Sequence, residues 1–358
     1  MLFSRAPLSA CLAVGLATMA MASVLAAPSP DADQRAARPV LHVINGSRQP
    51  LDLWWLREPE DRVHNGHLRP GGQTFINTTI GHRFLLVGQH DGFEQPVSSL
   101  VPIQAVRFDS PDQDGVPSCY TQREHVANVP IVAPAAVNPY ALKEAAFLVG
   151  QMLKQRPDIL QAMVASGSRL CILGRNEYTT DQPELAQLAA TPVAGLPHIP
   201  PADYWDARAR GMGGSRRDPF CSCGEENLLG YPGDPYATEC ILIHERAHNI
   251  HLRGMQNLDP SFDIRLRKAY EQAITNGLWK GVYASVNHHD YFAEGVQSWF
   301  DNNRSNDSEH NDVDTREELI AYDPLLAELC REVFGDTELR YTNPSTRLHG
   351  HLAGYDPT

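Results

Sequence analysis

The sequence predicts an α+β protein in which a small N-terminal β-sandwich is followed by a mainly helical domain with a short sheet. Turn-punctuated short strands fill residues 38–106, and helical patterning takes over from residue 139. At 358 residues the chain is long enough for two domains that each bury a core.

The first 27 residues carry Arg5, an apolar run from Leu12 to Leu25, no acid, and the small residues Ala26 and Ala27 at the end. This pattern predicts a secretory signal peptide cleaved near Ala26 or Ala27, hence a secreted or periplasmic protein. Ser and Thr interrupt the run and Pro28, Pro30 and acids follow it, which disfavours a membrane anchor. No later stretch approaches the ~18 apolar residues of a span. Residues 28–37 lack periodicity and read as a flexible leader. Loss of residues 1–27 removes Arg5 and no acid, taking the formal net charge from -13 to -14, so nucleic acid is not an expected partner. Cys11 leaves with the signal. The remaining Cys119, Cys171, Cys221, Cys223, Cys240 and Cys330 are even in number, which in an exported chain predicts up to three disulfides of open pairing. Cys221-Ser222-Cys223 lacks the second pair that a zinc finger needs.

Within 38–106, Val40-Leu41-His42-Val43-Ile44 reads as a strand, Asn45-Gly46-Ser47 as a turn, and 51–56 as the next strand; 73–78 and 82–87 follow Arg69-Pro70-Gly71-Gly72. Residues 107–138 hold a polar run, several prolines and Cys119, and read as a linker tied by a disulfide. The second domain, 139–358, opens with helices over 140–155 and 157–165 and a buried strand over 169–174. Residues 197–236 read as Gly- and Pro-rich loops leading to one short strand, Asn227-Leu228-Leu229, and Gly211-Met212-Gly213-Gly214 makes no phosphate loop. An amphipathic helix over 259–276, a helix after Asn287, an acidic loop over 306–314, a helix over 316–334 and an irregular tail complete the chain.

The chemistry centres on His244-Glu245-Arg246-Ala247-His248. Asp234-Pro235 upstream offers an N-cap and a fixed first turn, and Arg253-Gly254 downstream offers a cation and a C′ glycine, so one helix is expected through the motif. Four residues apart on it, His244 and His248 share a face and can bind one Zn²⁺, with Glu245 offset toward a water on that ion. A catalytic zinc needs a third protein ligand and keeps a position open. On the helix that Asn287 would cap, Asp290 and Glu294 are i and i+4 and face the same way. One acid can bind the ion while the other accepts the N–H of a ligating histidine. His288 and His289 read as a solvated helix start.

Two resemblances go with these residues. Asn45-Gly46-Ser47, Trp54-Trp55-Leu56, Leu68-Arg69-Pro70-Gly71-Gly72 and Gly81-His82-Arg83-Phe84-Leu85 resemble the β domain of the von Hippel-Lindau tumour suppressor over roughly residues 38–106. That resemblance implies a sandwich face for a hydroxyproline peptide, at Trp55, His82, Thr78 in place of serine and Phe84 in place of tryptophan, with Asn65 near the tyrosine position. The residues by themselves read Trp55 and Phe84 as core aromatics and His82 as a buried, hydrogen-bonded histidine. Tyr283 and the run Asn287-His288-His289-Asp290-Tyr291-Phe292-Ala293-Glu294, taken with the His-Glu-x-x-His motif, resemble the gluzincin metallopeptidases, among them the anthrax toxin lethal factor catalytic domain, over residues 235–305. This second resemblance implies a zincin-like domain holding one Zn²⁺ through His244, His248 and Asp290, which stands at the glutamate position of that family. Glu294 then lies behind the ligands or, as the alternative, is itself the third ligand. Glu245 is implied as general base and Tyr283 as the oxyanion-stabilising phenol, with Tyr341 and Tyr355 in reserve; the strand at 227–229 would be the sheet edge above the metal helix. The expected function is a secreted zinc metallopeptidase acting on a protein or peptide, with the β-sandwich docking substrate or a partner. The alternative is a secreted peptide-binding protein whose zinc domain is catalytically silent.

Overall fold

A computed structural model describes residues 38–58, 61–109, 116–193, 195–215 and 218–357. The expected signal peptide and leader lie outside the described residues. Architecture is mixed α and β, with an N-terminal sheet region and a helical C-terminal part.

Seven strands come first: β1 (Val40–Asn45), β2 (Leu51–Glu58), β3 (Asp61–Leu68), β4 (Gln73–Asn77), β5 (Arg83–Gly88), β6 (Glu94–Ser98) and β7 (Ile103–Phe108). They make a three-stranded sheet in the order β4-β1-β7 and a four-stranded sheet in the order β3-β2-β5-β6. Alternation drives both: Leu41 and Val43 from one sheet and Leu51, Leu53, Phe84 and Leu86 from the other meet in one apolar cluster closed by Phe108. β3 is not among the strands expected from sequence because an edge strand has one neighbour and little to bury; its exposed positions Arg62, His64, Asn65 and His67 are all polar. The outer edge of β7 is covered by the helical part. Ile103 donates its N–H to Asn257 Oδ1 at 2.8 Å and accepts from Asn257 Nδ2 at 3.1 Å, and Ala105 N–H donates to the Ser166 carbonyl at 3.0 Å.

The segment expected to be a linker contains a hairpin, β8 (Gln122–Val126) and β9 (Val129–Ala133). Its two turn residues, Ala127 and Asn128, sit at φ 46° and 70° without a glycine, so the usual hairpin signal is missing from the sequence. These strands join β10 (Arg169–Leu173), β11 (Gly211–Met212) and β12 (Phe220–Gly224) in a sheet ordered β11-β12-β10-β9-β8. β9, β10 and β12 run parallel, with β8 and β11 antiparallel at the edges. Every residue of β10 and β12 is buried, as expected of parallel strands covered on both faces.

Helices α1 (Pro139–Met152) and α2 (Pro157–Ala165) stand close to expectation, α1 capped by Asn138, whose side chain accepts from Tyr140 N–H. After α3 (Pro201–Arg208) comes a correction: Asn227-Leu228-Leu229 is not a strand but lies in a helical turn, α4 (Glu225–Leu229), stopped by Gly230 at φ 65°. The edge strand is β11, in the glycine-rich run that carried no strand signal. The helix through His244-Glu245-Arg246-Ala247-His248 also differs. α5 (Ile241–Asn249) begins at Ile241, runs into a π-helical turn over Ile250–Met255 and ends in α6 (Gln256–Leu258). Asp234 instead closes a turn by accepting from Tyr236 N–H at 2.9 Å. The start of α5 is capped from elsewhere, Ile241 N–H donating to Asn227 Oδ1 and Cys240 N–H to Asn302 Oδ1, both at 2.8 Å. Gly254 is no helix stop; a Cβ there would stand 2.7 Å from Ile159 Cγ2, so its role is close packing on α2.

α7 (Phe262–Thr275) and α8 (His288–Trp299) follow, the latter capped by Asn287 as expected, its Oδ1 accepting from His289 and Asp290 N–H. The single helix expected over 316–334 is two, α9 (Arg316–Tyr322) and α10 (Pro324–Phe334), because Pro324 cannot continue α9 and Asp323 caps the new start. Asp323 also accepts from Trp279 Nε1 and the Tyr291 hydroxyl, which ties α8 and α10 together. In place of the expected disulfides the six cysteines stand as thiols, Cys119 exposed and the other five buried. Among the described residues no helix is long and apolar enough to cross a membrane.

Candidate metal centre

α5 and α8 pack side by side, and the histidines of one meet the acids of the other. His244 and His248 sit a turn apart on α5, with Nε2 atoms 3.2 Å from each other. Asp290 Oδ1 reaches to 3.4 Å from His248 Nε2. One donor atom from each of these three residues lies within 4.8 Å of the others. Two donors bound ~2.0–2.1 Å from a common ion at a tetrahedral angle sit ~3.3–3.4 Å apart, which is close to the spacing of these pairs. Two imidazole nitrogens facing each other beside a carboxylate also form the donor set that a borderline-soft cation prefers.

The surrounding hydrogen bonds fix the tautomer. Gln297 Nε2 donates to Glu239 Oε2 at 2.8 Å, which turns Gln297 Oε1 toward His244 Nδ1 at 2.7 Å. An amide oxygen can only accept, so Nδ1 carries a proton, and when a cation displaces the proton on Nε2 the neutral ring presents that lone pair to the site. Glu294 Oε1 lies 3.2 Å from the same Nδ1. Glu294 is itself buried and held by Asn303 Nδ2 at 3.1 Å and His310 Nε2 at 3.4 Å. The two acids of α8 therefore divide: Asp290 faces His248 through the Nε2 side, while Glu294 stands behind His244.

Electrostatics follow from that enclosure. Burial disfavours a charge on His244, yet the Glu294 hydrogen bond and the charges of Glu245, Glu294 and Asp290 outweigh it and push the imidazole up to about 10. Such a surplus of negative charge around a ring is what a bound cation would neutralise. Burial would raise Asp290, but its contact with His248 prevails and holds it below the ordinary value, so it is an ionised ligand candidate. Burial raises Glu245, only partly offset by His244 and His248. Tyr283 lies beside the centre, its ring centroid 6.0 Å from that of His244, and burial together with the charges of Asp290 and Glu245 raises its phenol, so it keeps its proton.

Edge strand β11 runs directly over α5. A Cβ on Gly211 would come 2.9 Å from Glu245 Cγ, and one on Gly213 would come 2.6 Å from His248 Cβ. Glycine is required here by close approach of backbone to helix. Gln297, Glu239, Asn303 and His310 were not found by sequence reasoning. Gln297 alone had a signal, standing three residues after Glu294 and hence on the same helix face.

In the N-terminal sheets Trp55, Thr78 and His82 come together, with rings of Trp55 and His82 5.3 Å apart and Thr78 Oγ1 3.2 Å from His82 Nδ1. Phe84 does not join an open face; it is 3 % exposed and belongs to the apolar cluster. The far tyrosines are also accounted for: the Tyr355 hydroxyl donates to the Leu229 carbonyl, and Tyr341 packs against the core of the helical part. No protein-family model matches the chain, and a search of curated proteins finds no significant match.

Proposed function

We propose that this protein is a secreted zinc-dependent metallopeptidase of the gluzincin type, with a von Hippel-Lindau-like β-sandwich that docks substrate or a partner. The observation that carries the reading is the convergence of His244, His248 and Asp290 on one point beside Glu245. When bound there, zinc would act as a Lewis acid toward the scissile carbonyl and acidify the attacking water. Glu245 takes the proton from that water as the C–O bond forms, then delivers it to the leaving amine as the C–N bond breaks. The protonated Tyr283 hydroxyl donates a hydrogen bond to the oxyanion. Gln297 and Glu294 keep the His244 ring oriented, and the open side of β11 accepts an extended substrate backbone as an added strand. The sandwich part of the proposal is supported by the three- and four-stranded sheets sharing one core and by the Trp55, Thr78 and His82 cluster.

The test is cleavage of a mixed peptide library by the purified protein, with products read by mass. Chelator-sensitive hydrolysis that disappears in Glu245→Gln while zinc stays bound supports the peptidase. Stoichiometric zinc with no turnover on any peptide refutes it and favours a silent binding protein.

A further inference from the structure

Three residues after His248, a second histidine-acid cluster sits among the same helices. His251, in the π-helical turn, is fully buried; its Nε2 lies 3.1 Å from Asp263 Oδ1 at the start of α7, and its Nδ1 lies 3.4 Å from His289 Nδ1 on α8. One donor atom from each of His251, Asp263 and His289 falls within 4.8 Å of the others. His288 Nε2 stands 3.2 Å from the same Asp263 oxygen, Arg267 Nη2 is 3.2 Å from the other, and Gln256 Nε2 approaches His251 Nε2 at 3.4 Å. The signal was present in the sequence as His244, His248 and His251 at i, i+4 and i+7.

We propose that His251, Asp263 and His289 form a second divalent-metal site, best suited to Zn²⁺, that clamps α7 onto the two helices bearing the first centre. The donor set is two imidazoles and a carboxylate, which favours zinc over the harder alkaline-earth ions. A His251–His289 separation of 3.4 Å is long for a hydrogen bond but matches the ~3.3–3.4 Å between two donors on one tetrahedral zinc. His251 faces Asp263 through Nε2 and His289 through Nδ1, and one ion takes only one of those nitrogens, so capture turns the Asp263 carboxylate toward the nitrogen that His289 faces. A metal here would be structural rather than catalytic: His251 follows His248 by three residues and His289 adjoins Asp290, so the clamp would set the spacing of α5 and α8 across the first centre. This inference stands on its own donors and does not need the peptidase reading.

The experiment loads the metal-stripped full chain with zinc alone and counts tightly bound equivalents after desalting, in the wild type, in Asp263→Asn and His289→Ala, and in His248→Ala. Circular dichroism verifies the fold of each. Two equivalents are expected in the wild type, with one lost in Asp263→Asn and in His289→Ala. His248→Ala should lose the other, and a double variant of His248 and Asp263 should lose both. A second readout is cobalt substitution, where the visible band assigned to the second equivalent should vanish in Asp263→Asn and persist in His248→Ala. One equivalent in the wild type that survives in both Asp263→Asn and His289→Ala overturns the proposal. Loss of zinc in Asp263→Asn with none lost in His248→Ala would uphold it while defeating the first centre.

Discussion

Replacing Gly213, the residue that follows β11, by alanine tests the seating of the edge strand on α5. The added Cβ would lie 2.6 Å from both Cβ and Cδ2 of His248 and 2.8 Å from its Cγ. Ordinary carbon contacts are ~3.5–4.0 Å, so strand and helix must part by roughly 1 Å. Gly213 is not among the glycines with positive φ, so the backbone tolerates alanine and the whole effect is steric. Overpacking of this kind costs ~1–3 kcal/mol of stability. A shift of ~1 Å at His248 also exceeds the ~0.2 Å tolerance of a metal-ligand bond, and misplacement of that size commonly costs about a hundredfold in rate. Urea unfolding should give the stability loss, competition against a chromophoric chelator the weakened zinc binding, and kcat/KM on a cleaved peptide the rate. An alanine variant with unchanged midpoint and unchanged zinc affinity would refute the packing of β11 on α5.

The two acids of α8 should separate in zinc affinity at the first centre: Glu294→Gln, which disturbs the orientation of His244 and not a proposed ligand atom, should cost ~10–100-fold, and Asp290→Ala should cost more; the reverse order would make Glu294 the ligand. Gly150 lies inside α1, where an added methyl would meet nothing nearer than Val126 Cγ1 at 3.8 Å, so Gly150→Ala should raise stability by ~0.5–1 kcal/mol, and a lower denaturation midpoint would contradict the space seen there. Burial pushes the Asp218 carboxyl up to about 6, above its ordinary 3.8. A carboxyl raised in the fold is neutral at no cost below pH ~4 and penalises the folded state once ionised above pH ~6. Asp218→Asn should therefore gain ~1–3 kcal/mol on the wild type between pH 4 and 7, read from denaturant midpoints, and a pH-independent difference would dispose of the idea.

Much of the fold was legible because local physics and tertiary context agree in it. The strands β1, β2, β4 and β5 fall where short β-branched, leucine and aromatic runs lie between turn residues, α2 is bounded as read, and Asn287 caps α8 with its own side chain. At β11 and at the start of α5 the misses share a cause, which is that partners distant in sequence did the work. β11 is a strand only because β12 pairs with it, and β8 and β9 turn through Ala127 and Asn128 with no glycine to announce it. Asp234-Pro235 looked like a helix start, but the first amide of α5 is satisfied by Asn227, fourteen residues upstream, and so the helix begins later.

By itself the sequence determined which side chains could carry chemistry: two histidines one turn apart, a glutamate between them, and two acids one turn apart behind an asparagine cap, all relations that follow from 3.6 residues per turn. Only the tertiary structure decided which acid faces which nitrogen, because that depends on how α8 is rotated against α5. With Gln297 and Glu294 packed behind His244 and Asp290 carried to the front beside His248, the division between the two carboxylates is a product of helix packing.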